Sequence, residues 1–400
     1  MQENEENEVN EFVPARDSGM DKEEEAVLAW LAGRESAMQA LLQRIVDIDS
    51  GSRQEAGVTA VAEVLGAHLR EAGMAVAFHA VPGFGVCLDA GLPGSGQGRP
   101  ILLMGHMDTV YPAGTVARRP FRIEAGRAYG PGVADMKSGL VMNVFVAEAL
   151  ARLGRQAPPL RLFFSCDEEI GSGATRERIM EVARGVRTVF NAEPGRVSGN
   201  LVTGRKGSMV VAFEVEGVAA HAGINPAQGA SAIDALARKI VALHALTDAG
   251  QGITTNVGCV QGGIVPNMVA PQAQAQLDVR FTAETDVEAL VERIRAIVEE
   301  ESIPRTRGRI TELRRTMPMA RTPDALLALY QGNAERLGFR VEGEFTGGAA
   351  DSGLTASVGT PTLCGTGPVG GHAHTEREYC ELSTFVPRAQ ALALTILGLR

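Results

Sequence analysis

Residues 100–108 read PILLMGHMD, an apolar run that stops at a glycine, a histidine and an aspartate. Two further stretches share the form. LRLFFS (160–165) enters Cys166-Asp167-Glu168-Glu169, and RTVF (187–190) enters Asn191-Ala192-Glu193-Pro194. Short continuous apolar runs suit strands buried on both faces, as in parallel sheets covered by helices. Helical-looking segments such as LVMNVFVAEALARLG (140–154) lie between them. The alternation predicts an α/β domain: a mixed, mostly parallel sheet with helices on both faces. Ligands gather at the carboxyl ends of strands in such sheets, and the histidine and carboxylates stand there.

Working outward, AVLAWLAGRESAMQALLQRIV (26–46) is read as the first ordered helix and VTAVAEVLGAHLREAG (58–73) as a second, ending at Gly73. The texture changes near residue 205. MVVAFEVEG (209–217), AQAQLDVRF (273–281) and GRITELRRT (308–316) read as strands, the first two alternating. SAIDALARKIVALHAL (231–246) and VEALVERIRAIVEE (287–300) read as helices. That predicts a smaller α+β domain over 205–316, inserted into a first domain made of 26–204 and 317–400. Residues 1–25 hold ten Asp/Glu against Arg16 and Lys22, and are read as an acidic disordered tail.

The net charge of −10 is therefore −8 in the tail and −2 elsewhere. No basic stripe points to nucleic acid. No window of about 18 uncharged apolar residues points to a membrane span. The start MQENEENEVNEF has neither the basic nor the apolar part of a secretory signal, so a cytoplasmic location is expected. Five cysteines without CxxC spacing argue against a disulfide scaffold or a cysteine-ligated zinc knuckle. Cys166, beside the acidic triplet, has the best claim to chemistry.

Five segments concentrate histidines and carboxylates beside glycines or at strand ends: GHMDTV (105–110), GPGVADMKSG (130–139), SCDEEIGS (165–172), NAEPG (191–195) and GGHAHTEREY (370–379). Imidazole mixed with carboxylate suits Zn²⁺, Mn²⁺ or Co²⁺. His106 and Asp108 share a face if the strand continues, so Asp108 can accept the outer imidazole N–H. Adjacent Glu168 and Glu169 diverge, so one can ligate while the other faces a water as general base. Gly130, Gly132 and Gly139 allow turns around Asp135.

From about residue 26 to 400, in motif order, the chain resembles the M20 family of metallopeptidases and amidohydrolases. HMDTVYPAG, RAYGPGVADMKSG and the Glu193-Pro194 pair are most similar to its glutamate carboxypeptidase branch. The resemblance implies a ferredoxin-like fold for the inserted lid and dimerisation domain. It also implies two divalent metal ions, zinc first, with cobalt or manganese possible. Asp135 would bridge them, with His106 and Glu193 at one ion and Glu169 and His374 at the other. Glu168 would be the general base, Asp108 would orient His106, and a cis peptide would follow Asp135. His374, not His372, stands five residues before the Tyr of Glu378-Tyr379, as the family pattern sets it.

In the inserted domain the resemblance assigns His221, in VEGVAAHAG, to the oxyanion of a partner subunit's site in a homodimer. It assigns Asn267 and Arg280 to substrate contact, and gives Gly347 and Gly348 of TGGAADSG backbone N–H groups for a substrate carboxylate. GGAADSG departs from the GGGTDA-type loop of glutamate carboxypeptidases, and Arg205-Lys206 resembles deacylase relatives. Arg205-Lys206 could position a substrate anion or serve as a charged hinge.

The implied reaction is amide hydrolysis of N-acyl amino acids or small peptides, releasing an amino acid with a free carboxylate. An N-acyl amino acid deacylase of the aminoacylase type is the alternative. A non-catalytic binding protein on the same fold and a hydrolase built on Cys166 belong to other classes. No nucleic-acid or membrane partner is expected.

Overall fold

In the computed structural model, residues 20–94, 98–154, 157–283 and 285–399 are described. The strands in chain order are β1 (Ala75–Val81), β2 (Gly85–Leu92), β3 (Ile101–His106), β4 (Arg122–Glu124), β5 (Arg127–Tyr129), β6 (Leu160–Ser165), β7 (Thr188–Asn191) and β8 (Leu201–Arg205). There follow β9 (Gly207–Glu216), β10 (Thr254–Gly262), β11 (Gln272–Phe281), β12 (Arg307–Thr316), β13 (Gly343–Thr346), β14 (Thr362–Cys364), β15 (Gly370–Gly371) and β16 (Tyr379–Glu381).

The chain divides into two compact units. One comprises Met1–Thr203, Thr322–Glu344 and Val358–Arg400; the other comprises Gly204–Arg321 and Phe345–Ser357. The second unit opens at Gly204, next to the change of sequence texture near 205. Phe345–Ser357 differs from the sequence expectation, which kept all of 317–400 together. Two hydrogen bonds hold it in the second unit: Lys206 N donates to Thr346 O at 3.0 Å, and the Arg205 guanidinium donates to Gly348 O at 3.2 Å.

The main sheet has eight strands in the order β1-β2-β6-β3-β7-β14-β8-β13. The three apolar runs first singled out are the adjacent strands β6, β3 and β7. They pair in parallel, with His106 opposite Ser165 and Met104 opposite Asn191. β14 extends the parallel centre, and the pairings of β2 with β6 and β8 with β14 are antiparallel. All six β3 residues are buried. Helix Ser138–Ala151 is buried on nearly every side, as its largely apolar sequence demands. A separate four-stranded antiparallel sheet, β15-β16-β5-β4, was not foreseen. Its strands are two or three residues long, too short for periodicity to register.

The expected helix 26–46 is two helices, Lys22–Ala32 and Glu35–Val46, broken at Gly33. Glycine costs helix stability and closes the first segment by donating its N–H to Ala29 O. Lys22–Glu25, expected in a disordered tail, form that helix's first turn. Asp21 caps it, accepting from the N–H groups of Glu23 and Glu24, and Glu24 returns the bond to Asp21 N. Three glutamates in the first turn also suit the positive end of the helix dipole. Residues 1–19 of the tail lie outside the described residues.

The second unit contains the sheet β10-β11-β9-β12, antiparallel throughout. With helices Ala232–His244 and Val287–Glu299 its chain order is βαββαβ, the ferredoxin-like arrangement. Alternate residues of β9 and β11, among them Val211, Phe213, Leu277 and Val279, meet Leu236 and Ile294 of the helices in one core. β10 escaped sequence reading because it is an edge strand with almost no buried positions. Among the described residues no helix is long and apolar enough to cross a membrane.

Candidate metal centre

The carboxyl ends of β3, β6 and β7 deliver three of the chemical segments side by side. His106 is the last residue of β3 and is 1% exposed. Its Nδ1 lies 3.0 Å from the Asp108 backbone carbonyl and 3.4 Å from the Asp108 carboxylate. The nearer orienting acceptor is thus the main chain of Asp108, not the carboxylate expected from sequence. The fully buried Asp108 carboxylate has other work. It accepts from Ser52 Oγ at 2.6 Å and from the N–H groups of Glu168 and Glu169, each at 3.1 Å. One side chain therefore anchors the Glu168–Glu169 turn beside the strand that carries His106. Ser52 carried no sequence signal, since a lone serine after a helix has none.

Asp135 lies in the turn that precedes helix Ser138–Ala151. Gly132 enters it at φ +71°, a left-handed conformation that favours glycine, and the Asp135–Met136 peptide is cis as expected. Gly139 serves differently from a turn glycine. A Cβ there would lie 1.9 Å from Ala192 O, so the missing side chain lets the helix touch the Glu193 segment. Asp135 Oδ1 is 3.3 Å from His106 Nε2, and Oδ2 is 3.3 Å from His374 Nε2. Each oxygen thus faces a different imidazole. His374 Nε2 also lies 3.0 Å from Glu169 Oε2, while His106 Nε2 lies 3.8 Å from Glu193 Oε1 and 3.9 Å from Glu168 Oε2.

His372 and His374 both take positive φ, 56° and 64°, which is uncommon outside glycine. Only His374 meets the carboxylates. The exposed His372 packs edge-on to Tyr379 at 5.9 Å. Burial opposes charge on His106, but Asp108, Asp135 and Glu168 outweigh it and hold its pKa well above the ordinary value. Bonds to Asp135 and Glu169 push His374 up to about 10. Burial also opposes charge on Asp135, and the two imidazoles overcome it, holding its pKa below the usual range. Glu169 moves the other way: burial pushes it up, aided by Asp135.

The donor set fits divalent cations. One ligand atom each from His106, Asp135 and Glu169 lies within 4.8 Å of the others. Glu169 Oε1 is buried with no hydrogen-bond partner, an orphan that a metal ion would satisfy. Cys166 is excluded as a nucleophile. Its Sγ lies 3.7 Å from Cys87 Sγ, and that contact together with burial pushes the thiol well above its ordinary pKa.

The remaining sequence candidates lie in the second unit. His221 Nδ1 accepts from Gly223 N and Ile224 N, both at 3.2 Å, which leaves Nε2 to carry the proton in the neutral ring. Asn267 is its neighbour across a bridge, through Ala222 N to Asn267 O at 3.0 Å. Arg280 pairs with Asp278 at 3.0 Å and stays half-exposed. Gly348 N faces Thr346 Oγ1 at 3.4 Å and its carbonyl accepts from Arg205. Arg205 therefore acts on the glycine-rich loop, a contact sequence spacing could not reveal.

The chain matches Peptidase family M20/M25/M40 over residues 102–398. It belongs to that family. This M20 chain is a hydrolytic enzyme of the peptidase class. It is 29% identical over 370 residues to carboxypeptidase G2 of Pseudomonas sp. strain RS-16, covering 90% of this chain and 88% of that protein. Its fold matches a tripeptidase from Staphylococcus aureus with TM-score 0.76 at 21% identity, over 92% of this chain and 99% of the other. An M20 family metallo-carboxypeptidase from Sulfolobus solfataricus gives TM-score 0.75 at 17% identity, over 91% and 99%.

Proposed function

We propose that this M20 enzyme is a two-metal hydrolase that cleaves the amide bond of N-acyl amino acids or small peptides and releases an amino acid with a free carboxylate. The observation that carries the reading is Asp135, whose two oxygens face two different imidazoles beside an orphaned buried carboxylate oxygen. Asp135 would bridge the ions, with His106 and Glu193 on one side and Glu169 and His374 on the other. Zinc suits this mixture best, and cobalt or manganese also fit. Bound there, the ions would polarise the scissile carbonyl and acidify a water.

The chain's own groups do the rest. Glu168 takes the water's proton and returns it to the leaving amide nitrogen. Asp108 fixes Glu168 through its backbone N–H and, through its own carbonyl, the tautomer of His106. His221 of the partner subunit, in a homodimer formed through the second unit, donates from Nε2 to the oxyanion. Arg280, Asn267 and the Gly347-Gly348 backbone anchor the substrate carboxylate, for which a guanidinium is well shaped. Similarity to carboxypeptidase G2 supports release of a C-terminal amino acid.

The test is a hydrolysis panel of N-acyl glutamate, other N-acyl amino acids and dipeptides. Chelated protein is resupplied with zinc, cobalt or manganese. Activity should return with the cation, and Glu168→Gln should lose about 10²–10⁴-fold while keeping its metal. Full turnover in that variant refutes the assignment. A wild-type protein that binds two ions yet hydrolyses nothing in the panel is a binding protein instead.

A further inference from the structure

Glu378 is fully buried, and both of its oxygens are committed. Oε1 accepts from Ala134 N at 2.9 Å and Asp135 N at 3.0 Å; Oε2 accepts from Gly132 N at 3.1 Å and the Tyr111 hydroxyl at 2.6 Å. A carboxylate offers about four lone-pair sites, and four donors fill them. Three of the four are backbone N–H groups, which can only donate, and they offset the burial that pushes the Glu378 carboxyl up. It has no lone pair left for a cation, although it lies four residues beyond His374. Tyr111 Oη also lies 2.8 Å from Thr375 O, so one phenol joins the Glu378 carboxylate to the residue after His374. Tyr111 itself stands three residues beyond Asp108. Three chain segments that carry the centre, 106–111, 132–135 and 374–378, therefore meet at this pair.

We propose that Glu378 and Tyr111 are a positioning pair: together they set the spacing between the Asp135 carboxylate and the His374 imidazole, and thereby the centre's affinity for divalent cations. The inference rests on the metal-centre reading and adds residues that touch neither substrate nor ion. Glu378→Gln puts an amide NH₂, which cannot accept, beside one or more of these donors. Tyr111→Phe keeps the three backbone bonds and removes the hydroxyl's contacts with both Glu378 and Thr375.

The experiment measures Co²⁺ affinity by chelator competition and, separately, amide hydrogen exchange of the metal-free protein. Glu378→Gln should weaken Co²⁺ binding by between about 10- and 100-fold, the usual effect of losing an outer partner of a metal ligand. It should also speed exchange at Gly132, Ala134 and Asp135. Tyr111→Phe should weaken binding less, with exchange at those three amides nearly unchanged. The double variant should lose less than the product of the two factors, and excess Co²⁺ should restore occupancy in each. Folded variants that bind Co²⁺ like the wild type overturn the proposal. If Glu378→Gln does not fold, Tyr111→Phe decides it alone, since unchanged affinity there removes the pair. A wild-type chain that takes up no Co²⁺ overturns the metal-centre reading itself, and the pair with it.

Discussion

Replacing Gly139 by alanine tests how tightly the centre depends on backbone packing. The new Cβ would lie 1.9 Å from Ala192 O, whereas real Cβ atoms essentially never approach within 3.0 Å. The shortfall is 1.1 Å (3.0 less 1.9), and the obstacle is main chain, which no rotamer change can move aside. Helix Ser138–Ala151 is buried nearly all round, so the helix cannot retreat freely either. The strain should cost about 1–3 kcal/mol of stability. The segment that yields carries Glu193, one residue on. A misplacement of about 1 Å at a reacting centre can cost on the order of 10²-fold in rate. Gly332 gives the control. It is exposed within helix Asp324–Arg336, and a Cβ there meets nothing within 4 Å. Gly332→Ala should stabilise the protein by about 0.5–1 kcal/mol. Urea unfolding of both variants, with zinc-supported hydrolysis of the best panel substrate, makes the comparison. If Gly139→Ala is as stable and as active as the wild type, the contact does not position Glu193 and the reasoning fails.

Three further outcomes follow from particular contacts. Asp108→Asn removes one acceptor oxygen from a carboxylate that serves three donors, and should weaken Co²⁺ binding by about 10–100-fold. Ser52→Ala should do less, and equal affinity in all three proteins would show that Asp108 positions nothing. Partial burial opposes charge on Asp89, but the two-bond Arg161 guanidinium outweighs it and holds the acid below its ordinary pKa. A depressed carboxylate stabilises fully above the unfolded value of about 3.9 and loses that increment as pH falls through the folded value. Unfolding free energies of the wild type and Arg161→Met should therefore differ by about 1 kcal/mol near pH 6 and converge in acid; a gap that widens in acid reverses the sign. Cys259 is the single exposed thiol among the described residues, so a disulfide reagent should modify one cysteine quickly in native protein. Cys259→Ser should abolish that fast phase, and rapid labelling of Cys166 would contradict its burial.

What the sequence made legible follows burial. PILLMGH, LRLFFS and RTVF announce themselves because strands covered on both faces must be apolar at every position, and they prove to be neighbours. β9 and β11 were readable for the opposite reason, a strict alternation with one wet face. β10 and the short strands of the small sheet had neither signal. The helix break at Gly33 was visible as a glycine, yet the apolar spacing runs through it. At the centre, residue types and spacing located the histidines and acids. They could not show that the Asp108 carboxylate serves backbone N–H groups, or that Ser52, Tyr111 and Glu378 hold the ligand-bearing turns. Those contacts join residues 56 to 267 positions apart and depend on tertiary folding.

The order in which the centre's residues leave the ribosome has a consequence of its own. His106 is made 268 residues before His374, and the whole second unit is translated between them. The centre's last acidic side chain, Glu193, precedes His374 by 181 residues, so at about 5–20 residues per second roughly 9–36 s pass in which the nascent chain holds these acids but lacks its final imidazole. On the two-metal reading, uptake of the ions is then a late event in the life of the polypeptide. A product cut short after residue 373 should remain poorly loaded, however complete its main sheet.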